Sequence, residues 1–317
     1  KFDPSRFKAV VLDESSILKS FDGKTRTRLI EAFKNTRYRL CCTATPSPND
    51  IAELANHAEF LGLMTRAEFL ATWFVHDDQG WRMKRHAVGP FYRWLGSWAV
   101  ALRVPSDVGG DDTGFRLPPL EIKDVVVSHD EPAEGMLFPD MALKGIGGRL
   151  AARRASIDER LDAVSDMIRS TRGPWLVWCG LNAESDGLAA RLGGDAINVQ
   201  GSDSHAEKVG AVHAFVDKKI RVLITKPKIL GFGMNFQHCR QMAFLGLGDS
   251  YETYYQGIRR CWRYGQTKPV TAHVVVSEAE VGIVENVRRK ETAAVSLATL
   301  LADETRAQVA PFVEAVA

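Results

Sequence analysis

A chain of 317 residues, 45% hydrophobic and 25% charged, can fold as two globular domains with sizeable cores. Its 41 Lys and Arg stand against 39 Asp and Glu, so net charge points to no partner class and any nucleic-acid surface must come from local clustering. No apolar run reaches the length of a membrane span, and the five cysteines show neither a CxxC pair nor a histidine at metal spacing, which argues against zinc or a disulfide framework. Free, buried thiols in a reducing cytoplasm are expected instead.

Ala9-Val10-Val11-Leu12 is a continuous apolar run, the pattern of a strand buried on both faces of a parallel sheet. It ends in Asp13-Glu14-Ser15-Ser16, and the carboxyl end of such a strand is where open α/β sheets bind ligands. Asp13 suits a Mg²⁺ held through water, and Glu14 suits orienting or deprotonating a water. From these residues alone, an acidic helix start favoured by the dipole reads at least as well. Gly23-Lys24-Thr25 resembles the end of a P-loop, but the glycine required five residues earlier is Leu18 and no strand precedes it. Tyr38–Cys42 is the next strand. The Thr43-Ala44-Thr45-Pro46 turn after it offers hydroxyls for sensing a phosphate, or is an ordinary strand-to-loop turn.

Residues 51–104 read as helical and aromatic-rich, with the aromatics serving mainly as core. The interleaved Arg82, Lys84, Arg85, His86 and Arg93 leave base stacking and phosphate contact as the alternative. A loop over 105–119 leads to a strand at Val125-Val126-Val127. A Pro- and Gly-containing connector with the basic cluster Arg149, Arg153 and Arg154 follows. From residue 156 helical patterns alternate with strands at 175–179, 196–199, 222–225, 242–245 and 270–276, which implies βαβ units and a parallel sheet. Gly231-Phe232-Gly233-Met234-Asn235 follows one of these strands, and its two glycines permit close backbone approach to a ligand. Tyr251–Gln266 reads as one helix capped by Ser250. On it Gln256, Arg260 and Arg263 share a face suited to gripping phosphate, beside an inward stripe of Tyr255, Ile258 and Trp262; a solvated basic face is the bland alternative. Residues 278–317 form a helical tail expected to dock on the second domain.

The order and spacing of these segments resemble the superfamily-two helicases, and in particular the Swi/Snf-like ATP-dependent DNA translocases. Asp13 and Glu14 match the DExx pair, and Lys19 a lysine common shortly after it. Thr43, Ala44, Thr45 and Pro46 match the TGTP-like motif III. The stretch FRLPPLEIKDVVV, Phe115–Val127, is similar to the LP-containing segment that closes the first lobe's insertion. Gly231, Gly233 and Asn235 match the GxGxN of motif V, while Gln256, Arg260, Arg263, Gly265 and Gln266 match the QxxxRxxRxGQ of motif VI. Arg259 falls on a position not tied to catalysis and is left as a surface arginine.

The resemblance implies an α/β fold of two RecA-like lobes, parallel sheets flanked by helices, the first truncated at its N-terminus and carrying a helical insertion. The implied division is 1–128 for the first lobe, 129–155 for a linker, 156–277 for the second lobe and 278–317 for the tail. ATP and Mg²⁺ are the implied cofactors, with Asp13 on the metal, Glu14 on the water, and Arg260 and Arg263 as arginine fingers. Double-stranded DNA, gripped by its backbone, is the implied partner, in a compact prokaryotic or phage enzyme of the cytoplasm. No GxxxxGK[ST] occurs in the sequence. The P-loop is therefore expected before Lys1, and this chain by itself is expected to bind ATP poorly and hydrolyse it negligibly. DESS replaces the commoner DEAH or DEGH, and Ala101–Val108 lacks the paired arginines often seen before the LP segment. A strand-separating helicase or a restriction-system motor uses the same motifs, and a non-catalytic nucleic-acid-binding scaffold is the alternative of another class.

Overall fold

The structure is a computed structural model describing residues 3–78, 80–128, 151, 153–230 and 233–314. The chain divides into two units: residues 1–112 with 289–317, and residues 113–288.

In the first unit β1 (Ala9–Asp13) and β2 (Tyr38–Cys42) pair in parallel, with α1 (Lys24–Phe33) between them in sequence. The P-loop-like triplet is simply the start of α1, with Gly23 at its N-cap. Val10, Leu12 and Cys41 pack on Leu18, Phe33 of α1 and Phe60 of α2 (Leu54–Leu61). Only one face of the strand pair is covered by these helices. Val11 is 60% and Leu40 53% exposed on the other, so the expected burial of β1 on both faces does not hold.

The aromatic-rich stretch folds as α2, α3 (Arg66–Trp73), an antiparallel hairpin of β3 (Phe74–Asp77) and β4 (Gly80–Met83), and α4 (Val88–Gly96). The all-helical reading missed the hairpin, which reverses around Asp78 with Asp77 register-paired to Gly80. Phe69, Phe74 and Phe91 are buried, with Trp73 and Trp94 packed around them; Phe69 and Phe91 meet edge-on at 5.9 Å. The aromatics are thus core, as expected. Two of the interleaved cations have local partners: Lys84 Nζ donates to the Ala71 and Thr72 carbonyls at the end of α3, and Arg82 pairs with Asp77.

The second unit is built on six parallel strands in the order β5-β10-β9-β6-β8-β7. They are β5 (Leu120–Val127), β6 (Trp175–Cys179), β7 (Ala196–Asn198), β8 (Val222–Thr225), β9 (Gln241–Leu245) and β10 (Val270–Ser277). Helices α5 (Ile157–Ser170), α6 (Asn182–Leu192), α7 (His205–Val216), α8 (Pro227–Leu230) and α9 (Tyr251–Ile258) intervene. This is the expected α/β fold with a parallel sheet flanked by helices. Every residue of β6 and β8 is buried, which is why both read as apolar runs, broken only by Thr225 at the end of β8. Leu161, Val164 and Ile168, one stripe of α5, close over Val177, Ile224, Ala243 and Val275. A reciprocal capping box starts α7: the Ser204 amide donates to Glu207 and the Glu207 amide to Ser204 Oγ.

Two boundaries differ from expectation. Strand β5, assigned to the first lobe, pairs along its whole length with β10 and belongs to the second unit's sheet. Its alternating residues carry no mark of which sheet they join. The tail, expected to dock on the second lobe, is the end of α10 (Val281–Glu314). Ile283, Val284 and Val287 are buried near its start, but Leu297 and Leu301 enter the aromatic core of the first unit. There the Ala101 amide donates to Thr305 and Arg306 pairs with Asp107. Cys179, Cys239 and Cys261 are buried free thiols, whereas Cys42, expected inside, is exposed. The linker over 130–150, with Arg149, lies outside the described residues. Among the described residues no helix is long and apolar enough to cross a membrane.

Candidate functional site

The first unit contributes a cluster at the carboxyl ends of β1 and β2. Asp13 is the register partner of Cys42, so the loops that start at Glu14 and Thr43 leave adjacent strands at one edge. Asp13 Oδ1 accepts from the Glu14 amide at 3.0 Å, and both carboxylate residues are exposed. Glu14 has φ 52° and ψ 51°, a left-handed backbone uncommon for a residue with a side chain. A 3-10 turn, Ser15–Leu18, follows. Thr43 Oγ1 accepts from the Thr45 amide at 3.1 Å, while Thr45 Oγ1 is buried with no hydrogen-bond partner. An orphaned hydroxyl costs free energy unless something supplies its bond.

Asn56 and His57 of α2 grip the turn after Glu14, and nothing in the sequence drew attention to them. Asn56 Nδ2 donates to the Leu18 carbonyl at 2.8 Å and to that of Lys19 at 3.2 Å. His57 Nε2 lies 3.2 Å from Ser15 Oγ. Burial lowers the His57 pKa to about 4, so the ring is neutral near pH 7. Burial likewise raises the Cys41 thiol to about 11, which keeps it protonated beside the same serine. Among the described residues no group of three or more His, Cys, Asp or Glu gathers as a metal cage. The exposed Asp13 carboxylate nevertheless fits Mg²⁺, which keeps its waters and takes one or two carboxylates with substrate phosphates.

The second unit contributes a cluster around the Met234 carbonyl. Arg260 Nη1 donates to it at 3.2 Å and Arg263 Nη1 at 3.4 Å. Arg260 also donates from Nε to the Gln256 carbonyl, and its own carbonyl accepts from the Phe236 amide. Gly233, with φ 72°, and Asn235 flank Met234, both exposed; Gly231 lies outside the described residues. Gln256 and Arg260 are buried, whereas Arg263 is half-buried with an Nε that lacks a partner.

The predicted single helix over 251–266 is corrected here. Helix α9 ends at Ile258 with Arg259 as its C-cap, and turns carry the chain onward. The Phe236–Arg260 backbone bond and the left-handed Gly265 (φ 90°) hold that path. The two arginines therefore meet through a shared carbonyl and not through a common helical face. The inward stripe is Tyr251, Tyr254 and Ile258, while Tyr255 and Trp262 are only half-buried. Gln266 has a scaffolding part: its Nε2 donates to the Gln237 and Cys239 carbonyls, and its Oε1 accepts from the Thr267 and Lys268 amides.

A buried charge network fills the carboxyl ends of β6, β9 and β10. Glu184 accepts from Arg153 Nε and Arg160 Nη1, each at 2.7 Å, and from the Gly180 and Leu181 amides. Arg153 Nη2 also donates to the Leu245 carbonyl, and Glu280 lies 3.7 Å from Arg153. Burial alone would raise the Glu184 pKa, but bonds from Arg153 and Arg160 hold it below the usual carboxylate value. The crevice where an open sheet commonly takes a ligand is occupied here by the protein's own arginine. Toward the β8 end of that edge, Lys226 Nζ donates to Asn182 Oδ1 at the start of α6.

No curated protein sequence matches the chain. Among solved structures, the C-terminal part of the Fun30 ATPase domain is similar at 18% identity and a TM-score of 0.37, over 46% of this chain and 53% of that one. The chain thus spans about half of that structure's length. The C-terminal domain of the DEAD-box protein Dbp5 is similar at 16% identity and a TM-score of 0.37, over 42% of this chain and 78% of that one. Residues 159–265, which run from α5 through the Arg260–Arg263 turn, match the family model described as the helicase conserved C-terminal domain.

Proposed function

We propose that the chain carries motor elements of a Swi/Snf-like, DNA-dependent ATPase that couples ATP hydrolysis to movement along double-stranded DNA. The observation that carries this reading is the convergence of Arg260 and Arg263 on Met234, between Gly233 and Asn235, inside the stretch that matches a helicase domain. Bound ATP–Mg²⁺ supplies the phosphoryl group and the charge to be neutralised. With that group bound, Asp13 would hold the metal through water, and Glu14 would orient a water or take a proton from it. The Thr43 and Thr45 hydroxyls report on the phosphate end. Arg263 is assigned as the finger, because its Nε has no partner within the protein; Arg260, buried and tied at two points, fixes the loop. Gln256, with Gly233 and Asn235, shapes the surrounding backbone.

In the intact protein Arg263→Ala should lower DNA-stimulated ATP turnover by about 10³-fold, the scale of an arginine finger, while equilibrium ATP binding is largely kept. Near-normal turnover in this variant overturns the assignment. Strand displacement measured alongside ATPase distinguishes a duplex translocase from a strand-separating helicase.

A further inference from the structure

Arg259 has surroundings that the motor motifs do not explain. Its guanidinium carbon lies 5.2 Å from the Trp262 ring centre, 5.9 Å from Tyr255 and 6.0 Å from Tyr264. Tyr264 meets Phe115 edge-on at 5.3 Å. Trp262 is pinned by its indole N–H, which donates to the Pro118 carbonyl at 2.7 Å. Two segments distant in sequence thus build one aromatic cluster around one cation. It sits where the chain enters β5 and β10, whose first residues, Leu120 and Val270, are register partners.

The rim of the cluster is open, with Phe115 44% and Tyr264 43% exposed. Gly265 makes the reversal directly after Tyr264; a side chain there would be strained by the backbone and would press on Gln237. Charge along these two segments is one-sided: residues 113–120 and 253–277 contain no Asp or Glu and hold Arg116, Arg259 and Lys268 besides the buried Arg260 and half-buried Arg263, with Asp111, Asp112, Glu121 and Glu252 just beyond their ends. Arg116 and Lys268 are exposed. Open ring faces among cations, with no carboxylate in either segment, fit a polyanion that also presents flat apolar faces. A duplex offers the phosphates but keeps its bases stacked inside; an unpaired strand offers both.

We propose that this surface is a stacking platform for single-stranded nucleic acid, with unpaired bases on Tyr264 and Phe115 and flanking phosphates on Arg116, Arg259 and Lys268. The platform rests on the nucleic-acid reading above and adds to it a site for unpaired bases, apart from the residues assigned to hydrolysis.

Fluorescence anisotropy on the intact protein tests it, using a labelled single strand of about ten thymidine nucleotides and a duplex of equal length. Tyr264→Ala and Phe115→Ala should each weaken single-strand binding about tenfold, leave duplex binding unchanged, and leave the salt dependence as it is. Tyr264→Phe should bind as the wild type does. Arg116→Ala and Lys268→Ala, both at exposed positions, should each lower the slope of log affinity against log salt by about 0.7 for the single strand. Wild-type affinity in both aromatic variants, or equal losses on single strand and duplex, overturns the platform while leaving the motor reading intact. Binding of neither nucleic acid by the wild-type protein overturns both.

Discussion

Glu14 holds a left-handed backbone that costs a residue of its kind about 1–3 kcal/mol, so the surrounding contacts must enforce it. They are supplied by two neighbours on α2. Asn56 ties down Leu18 and Lys19, His57 faces Ser15, and Ser15 and Ser16 are themselves buried. The clamp works with a neutral imidazole, and this gives it a pH signature. In the folded chain His57 has its pKa lowered by burial to about 4 from 6.5. The unfolded chain therefore binds more protons between those values, and stability contributed by this residue is lost as pH falls through that window, on the order of 3 kcal/mol in full. Urea midpoints followed from about pH 7 to about pH 4 should fall in the wild type and fall less steeply in His57→Gln, which retains a polar partner for Ser15 but has no titrating ring. Equal slopes would show that His57 titrates as in the unfolded chain.

At the scale of elements, α5 and α6 are joined by more than their apolar stripe. Arg160 is fully buried on α5 and bonds Ser156, Glu184 of α6 and the Arg153 carbonyl. Arg160→Ala strips one cation from the buried Glu184 and Glu280 carboxylates and should cost about 3–5 kcal/mol in urea unfolding. Arg160→Lys should recover little of it, because a single ammonium cannot reproduce a fork of bonds. A loss below about 1 kcal/mol would mean that water replaces the guanidinium. This network also marks the limit of what the sequence discloses. Strands β6 and β8 were legible to the residue, since burial on both faces selects apolar side chains, with Thr225 admitted because its hydroxyl donates to the Val199 carbonyl. The spacing singled out Arg260 and Arg263, and the structure brings both to the Met234 carbonyl. Arg160 and Glu184 were not legible, because a charge on an amphipathic helix reads as surface until a partner is seen. The end of α9 was hidden for a related reason: a helical pattern in Tyr251–Gln266 says nothing of the Phe236 amide that draws the chain away at Arg260. Asn56 and His57 stand a full connection away from the loop they hold.

Across the whole molecule, the allocation of β5 and of the last helix was the part least open to sequence. Each reads as an element, but only partners decide where it packs. Leu297 and Leu301 of α10 complete the core that contains Phe69, Phe74 and Phe91. Leu301→Ala should destabilise the first unit by about 2–5 kcal/mol. Removing residues 297–314 should shift the emission of Trp73, Trp94 and Trp98 toward that of solvated indole; unchanged emission would show that the core closes without the helix. Because Ala101 and Thr305 are bonded across some two hundred positions, the first unit closes a long loop, whereas residues 113–288 are contiguous. On a ribosome the sheet of β5 to β10 has all its strands once residue 277 has emerged, and it can form then. The first unit, begun earlier, gains Leu297 and Leu301 only after the last helix has emerged, so its aromatic core is completed later than that sheet.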